Sequence, residues 1–381
     1  MTDEFIPYGR QLLDDDDIEA VVEVLRSDWL TTGPKVDLFE EALAQQAGTK
    51  FAVALANGTA ALHAAMYAAG VGADDEVVVT PMTFAASANC AVYTGAKPVF
   101  ADVRGGTLLI NPDAVAEQMT DKTSAIVAVD YAGQPCDYEA LRRLAEDKGV
   151  TLVADACHAI GGSYQGKPVG SLADLSVFSF HPVKHITTGE GGAVTTDDPE
   201  MAARLRLFRN HGITTDHRQR SEQGSWFYEM VDLGFNYRIT DIQCALGLTQ
   251  LGKLPAWIER RQQIAARYDE AFAEIDCVDP LVVAPERVHA YHLYVVRLDP
   301  GLDRQAVFAT LRDRGLGVNV HYIPVHLHPF YRERFGTGRG LAPVAEEAYD
   351  HMLSLPMFPA MSDEQVERVI ATVDEVVEQL S

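Results

Sequence analysis

Short apolar, β-branched runs alternate with stretches of helical periodicity through the first two thirds of the chain. Seven runs read as strands: Phe51–Leu55, Glu76–Thr80, Lys97–Ala101, Ser124–Val129, Thr151–Ala154, Leu175–Ser179 and Gly192–Thr195. Several are apolar at consecutive positions, as a strand reads when both its faces are covered. Helical patterns fall between them at Thr59–Ala69, Phe84–Tyr93, Asn111–Gln118 and Tyr138–Lys148. This alternation predicts a mostly parallel sheet covered by helices, an α/β fold. Ahead of it, Asp14–Arg26 reads as a helix, with Asp14 to Asp17 placing carboxylates at its positive end.

The pattern changes near residue 250. Pro255–Ile275 reads as a long helix with an arginine-rich polar face, Tyr291–Leu298 as a strand and Arg304–Arg314 as a helix. Gly315 to Gly317 reads as a turn into a strand at Val318–Tyr322, and Asp363–Gln379 as an amphipathic helix. The expected organisation is an N-terminal segment over 1–34, a large α/β domain over 35–254 and a smaller α+β domain over 255–381.

Composition narrows the partners. The chain of 381 residues carries 31 Lys and Arg against 55 Asp and Glu, a formal net charge of −24. Nucleic acid and anionic membrane surfaces would repel such a chain. Cys90, Cys136, Cys157, Cys244 and Cys277 are scattered and odd in number, which fits a reducing compartment rather than a disulfide framework. The opening MTDEFIPYGR has no signal-peptide pattern, and the apolar stretch from Val53 to Ala73 is too interrupted to span a membrane. A soluble cytoplasmic protein is expected. His181, His185, His211, His326 and His328 have no ligand-like spacing, so no metal is expected.

Four features carry candidate chemistry. Lys184, one of only eight lysines, lies in a tight loop rich in Gly and Thr between two core strands, S-F-H-P-V-K-H-I-T-T-G-E-G-G over Ser179–Gly192. A desolvated lysine amine can bond to an aldehyde, although a loop lysine can equally be solvated. Asp155 ends a strand, where α/β ligand sites lie; it could hold a pyridine nitrogen protonated or simply cap a helix. Gly58 and Thr59 open a helix after a strand and could hold a phosphate, with the Ser179 hydroxyl beside them. Phe84 follows a strand end and could stack on a flat ring or belong to the core.

With these residues in place, the chain resembles the DegT-like sugar aminotransferases over nearly its whole length. The lysine loop and L-G-F-N-Y-R-I-T-D-I-Q-C-A-L-G at Leu233–Gly247 are the most specific matches. The resemblance implies the pyridoxal 5′-phosphate (PLP) transferase fold of type I, with a seven-stranded, mostly parallel sheet. It implies Lys184 as the cofactor-bearing lysine and proton carrier, Asp155 at the ring nitrogen and His158 near the ring hydroxyl. Phe84 would lie on the ring, and Gly58, Thr59 and Ser179 at the phosphate. Asn236 would reach the neighbouring subunit's phosphate, which implies a homodimer with shared active sites.

Finer matches are I-P-Y-G-R-Q at Ile6–Gln11, Leu25–Pro34, Val129–Gly133 and Val320–Pro324. They resemble the branch that moves an amino group from L-glutamate to the C4 ketone of a UDP-linked 4-keto-6-deoxy-N-acetylhexosamine, in pseudaminic acid biosynthesis. That implies Tyr8, Asp28, Trp29, Leu30, Thr31, His321, Tyr322, Ile323 and Pro324 at the sugar nucleotide. Arg238 could meet the donor carboxylate or form a structural ion pair. Branches acting on other dTDP- or UDP-keto sugars share most of these motifs. Rival readings are a PLP enzyme of another reaction type and a regulator lacking catalysis, the latter at odds with a full set of cofactor positions.

Overall fold

A computed structural model describes residues 5–222 and 224–381. Seven strands form the main sheet: β1 (Phe51–Leu55), β2 (Glu76–Val79), β3 (Lys97–Phe100), β4 (Thr123–Val129), β5 (Thr151–Asp155), β6 (Leu175–Ser179) and β7 (Gly192–Thr196). Their spatial order is β1-β7-β6-β5-β4-β2-β3. All pairings are parallel except those of β7, which runs antiparallel to β1 and β6. The predicted strands match these within two residues at either end. Val77, Val78, Val79, Ile126, Val127, Leu152 and Val153 are fully buried, because helices cover both faces.

Helix α1 (Asp15–Leu25) leads into α2 (Pro34–Ala47), and α2, α3 (Gly58–Ala68) and α4 (Ala86–Tyr93) pack on this sheet. The longest helix, α5, spans Asp241–Phe272. The sequence places its start at Pro255, since proline suits a first turn. The helix instead begins fourteen residues earlier (255 − 241), because Thr240 and Gln243 form a reciprocal capping box. Pro255 lies within it. Asp241 at its start accepts from the Gly33 and Lys35 amides, at 2.7 and 2.9 Å, so α5 caps α2. The buried Asp17 accepts from Thr249 and Gln250, tying α1 to the same helix.

Helix α5 runs through residues 254 and 255, where we propose that the large region hands over to the small one. The small region holds a sheet of β8 (Val278–Pro280), β9 (Tyr294–Leu298) and β10 (Met352–Leu355), covered by α6 (Asp363–Leu380). Val318–Tyr322 does not form the expected strand. Its backbone pairs with β10 at a single bridge, through the bonds of Asn319 and Ser354 at 3.1 and 2.8 Å. Beyond that bridge His321 and Tyr322 turn toward the end of the main sheet, and the His321 carbonyl accepts from the buried Tyr131 hydroxyl. Side-chain anchoring there replaces ladder pairing.

One buried acid is uncompensated. Asp130 follows β4 and is fully buried; its Oδ1 accepts from the Cys136 amide and the Tyr138 hydroxyl, while Oδ2 has no partner. Burial pushes its pKa up to about 7. The folded state therefore binds this proton more tightly than the unfolded chain, whose Asp titrates near 3.8. The resulting stabilisation is complete below the unfolded pKa and lost as pH rises through the folded one. Asp130→Asn keeps the acceptor oxygen and removes the titration. The melting temperature of wild type minus that of the variant should fall by several degrees between pH 5 and pH 8; a flat difference would disprove this origin.

Candidate active site

The carboxyl ends of β4, β5 and β6, with β7 arriving antiparallel, open onto a cavity of about 690 Å³. Lys184 reaches it from the β6–β7 loop, Asp155 from the end of β5, and Gly58 and Thr59 from the first turn of α3. Ser179 closes β6, and Phe84 precedes α4. His158 follows β5 by three residues and is buried. These seven sequence-predicted residues all line one cavity.

Backbone proximity builds the phosphate end. A Cβ on Gly58 would lie 2.9 Å from the Ser179 Cβ, and one on Gly192 would lie 2.5 Å from the Asn57 carbonyl. Only glycines let the α3 N-terminus, β6 and β7 close on one another. Asn57 caps α3 by accepting from the Ala60 amide at 2.8 Å. The Gly58 and Thr59 amides remain at the positive end of the helix, beside the Ser179 hydroxyl. Such neutral donors could hold a phosphate dianion.

Asp155 is 6% exposed, and burying its charge requires donors. The Ser87 hydroxyl donates to Oδ2 at 2.5 Å and the Cys157 amide to Oδ1 at 3.3 Å. Ser87 in turn lies 2.6 Å from the Thr83 hydroxyl. Sequence reasoning missed Ser87 and Thr83, since hydroxyls near a helix start carry no pattern of their own.

Burial lowers the Lys184 pKa, favouring the neutral amine, while Cys157 and Asp155 oppose this shift. Around it stand His158, His185, His292 and His321, all depressed by burial first and by the Lys184 charge as well. For His321 the value falls to about 4, so these imidazoles are neutral near pH 7. His158 Nε2 meets the Tyr322 hydroxyl at 3.1 Å, and its buried Nδ1 has no partner. His292, also missed from sequence, packs on His158 with ring centroids 4.4 Å apart. Its segment is more than a hundred residues away in the chain, so no local signal marks it.

The outer wall is aromatic and polar. Tyr8 and His321 lie 5.1 Å apart by ring centroids, and Tyr322 lies 6.0 Å from Phe84. His321 Nδ1 meets the Ser354 hydroxyl at 2.9 Å. Ile323 and Pro324 lie just outside the lining. Asp28, Trp29, Leu30 and Thr31 do not reach this cavity. Thr31 bridges to Thr240, and the Leu30 carbonyl accepts from the Asp241 amide. Asn236 pairs with Asn210 and is exposed outside its own chain's cavity, while the intervening Tyr237 lines it. Arg238 donates to the Asn210 oxygen at 2.9 Å, not to an acid. His326 is buried against Glu346 at 2.9 Å and does not line this cavity. Among the described residues no group of His, Cys, Asp and Glu is arranged to hold a metal ion, and no helix is long and apolar enough to cross a membrane.

This fold and site define an aminotransferase that works with PLP. Residues 11–374 match the DegT/DnrJ/EryC1/StrS aminotransferase family, and the chain belongs to that family. It is 41% identical over 378 residues to the spore coat polysaccharide biosynthesis protein SpsC of Bacillus subtilis, covering 98% of this chain and 97% of that one. Spr1654 from Streptococcus pneumoniae, in its PMP form, superposes with a TM-score of 0.94 at 34% identity, over 99% of this chain and all of that one. Helicobacter pylori PseC, an aminotransferase of pseudaminic acid biosynthesis, gives 0.92 at 34% identity with the same coverage.

The orphaned His158 nitrogen, the glycine-lined cradle and the Lys184–Asp155 combination all fit PLP. Gly192→Ala should push the α3 N-terminus out of the cradle. Its PLP affinity, from absorbance titration of the apoprotein, should fall at least about tenfold with the fold retained by circular dichroism. Unchanged affinity would show that this close approach does not build the phosphate site.

Proposed function

We propose that the protein transfers the amino group of L-glutamate to the C4 ketone of a UDP-linked 4-keto-6-deoxy-N-acetylhexosamine, as in pseudaminic acid biosynthesis. The observation that carries the transfer is the shared cavity of Lys184 and Asp155, with a helix N-terminus at one end and the Tyr8, His321 and Tyr322 wall at the other. Gly58, Thr59 and Ser179 would hold the PLP phosphate, Asp155 the ring nitrogen and Phe84 the ring face, with His158 near the ring hydroxyl. Bound there, PLP supplies an aldehyde for amines and a ring that accepts electrons.

This chain's residues do the rest. The desolvated Lys184 amine would take a proton from the carbon bearing the donor nitrogen and deliver it to the carbon on the far side of that nitrogen; with the ketone substrate it would run the transfer in reverse. The Asp155 carboxylate, fixed by Ser87 and Cys157, keeps a positive ring nitrogen favourable. The neutral histidines add no competing charge beside the amine. Donor and acceptor use the cavity in turn, giving ping-pong order.

The protein would act in the cytoplasm as a homodimer with active sites at the subunit boundary, where Asn236 reaches the partner's phosphate site. Trp226, Met230 and Leu233 are 85%, 66% and 70% exposed just before Asn236, which supports a covered face there. The wider nucleotide-sugar site would draw in Asp28, Trp29, Leu30, Thr31, Ile323 and Pro324. A second reading is another dTDP- or UDP-linked keto sugar, supported by the equally close likeness to a sugar aminotransferase other than PseC.

Purified protein with PLP and glutamate should aminate the UDP-linked 4-keto sugar, with the new amine at C4 by NMR. Amination only of dTDP sugars, or at another carbon, would refute the substrate assignment. Lys184→Ala should lower turnover roughly a thousandfold or more, and Asp155→Asn roughly a hundredfold. Near-normal turnover in either would refute that residue's role.

A further inference from the structure

Arg261, on α5, carries a cationic side chain that is only 1% exposed. Burial pulls its pKa down to about 9, so it stays charged near pH 7. It donates to backbone carbonyls rather than to an acid. Its Nη1 meets the Tyr291 and Met357 oxygens at 3.0 Å each and the His292 oxygen at 3.5 Å. A buried charge needs dipoles of this kind. Tyr291 and His292 lead into β9, and Met357 follows β10. One residue of the long helix thus fixes the start of one small-sheet strand and the end of another.

The backbone it holds is strained. Tyr291 has φ of +48°, in the left-handed region that residues other than glycine rarely adopt unless their surroundings impose it. A Cβ on Gly133 would lie 2.7 Å from the Tyr291 nitrogen and 2.8 Å from the His158 carbonyl, so the segment runs directly against the backbone of His158. On either side, the Ala290 amide donates to the Gly133 carbonyl at 2.9 Å and the Leu293 amide to the Ala132 carbonyl at 3.1 Å. Between these ties the His292 ring lines the Lys184 cavity, 4.4 Å from the His158 ring and 5.6 Å from the His185 ring. Among the described residues its buried Nδ1 has no hydrogen-bond partner, so its place depends on the backbone that carries it. Burial opposes a charge on His185 and His292, and the Arg261 and Lys184 charges add to that.

We propose that Arg261 is a positioning residue for the active site: by holding the Tyr291 and His292 carbonyls it sets the His292 ring against His158 and so fixes the His158 imidazole. Arg261 does not itself line the cavity, so it acts through these groups. The inference rests on the reading that His158 stands near the ring hydroxyl of PLP. A donor there favours the charged oxygen and lowers the pH at which the bound cofactor gives up its proton. Lys184, His185, His321 and Tyr322 also face His158, and the Arg261 and His292 variants below leave them in place.

The test is the visible absorbance of the PLP-loaded, full-length protein as a function of pH. Arg261→Met keeps much of the side chain's length and removes its donors. The midpoint should rise by about half a pH unit or more, and turnover should fall about tenfold. Arg261→Lys, which keeps the charge but not the planar fork, should lie in between. His292→Leu should raise the midpoint in the same way. Combining Arg261→Met with His292→Leu should add little to either change alone, because both act through one ring. A wild-type midpoint in both single variants, with only a lower melting temperature, would overturn the proposal and leave Arg261 as a tie between α5 and the small sheet. Full additivity in the double variant would also overturn it. Should Arg261→Met fail to fold, Arg261→Lys and His292→Leu decide the matter by the same readout. His158→Leu reads the underlying placement separately. If it leaves the midpoint unmoved, the placement of His158 falls and this inference with it. If it raises the midpoint while the Arg261 and His292 variants do not, this inference alone falls.

Discussion

A carboxylate and an amine share one poorly solvated cleft, and the rest of the structure serves to make that tolerable. Burying either charge alone is costly. Asp155 is held by Ser87 and the Cys157 amide, with Thr83 behind Ser87. Lys184 meets the opposite cost by favouring its neutral form. The sheet topology creates the cleft: parallel β4, β5 and β6 end together, and antiparallel β7 returns the lysine loop to the same edge. Glycines then let α3 close on β6 and β7 without side chains between them.

The same economy would let an acidic protein hold a phosphate near Lys184, as proposed. Backbone amides and hydroxyls supply dipoles without adding cations that would oppose the protonation of a nearby ring nitrogen. The histidines around Lys184 obey the same logic, since their burial keeps them neutral.

Much of this was legible in the sequence because it is local. Buried parallel strands read as apolar runs, and the loop from Ser179 to Gly192 brings its lysine, glycines and hydroxyls within fourteen residues. What was not legible depends on contacts between distant segments. His292 meets His158 only through the fold, and Ser87 reaches Asp155 from a different strand–helix junction. Helix α5 hid its start because Pro255 reads as a first-turn residue, whereas the capping box lies well upstream at Thr240. Val318–Tyr322 alternates like a strand, yet side-chain anchoring of His321 and Tyr322 decides its path. Asp28 to Thr31 and Asn236 carry motif resemblance, but their places lie outside the Lys184 cavity of their own chain.

The central claim is that one lysine of eight, Lys184, carries the cofactor in this cleft. Borohydride reduction of the PLP-loaded protein, followed by peptide mass spectrometry, tests it directly. The account predicts a single stoichiometric pyridoxyl label on the peptide containing Lys184. A label on another lysine, or none on Lys184 in a fully loaded protein, would contradict it.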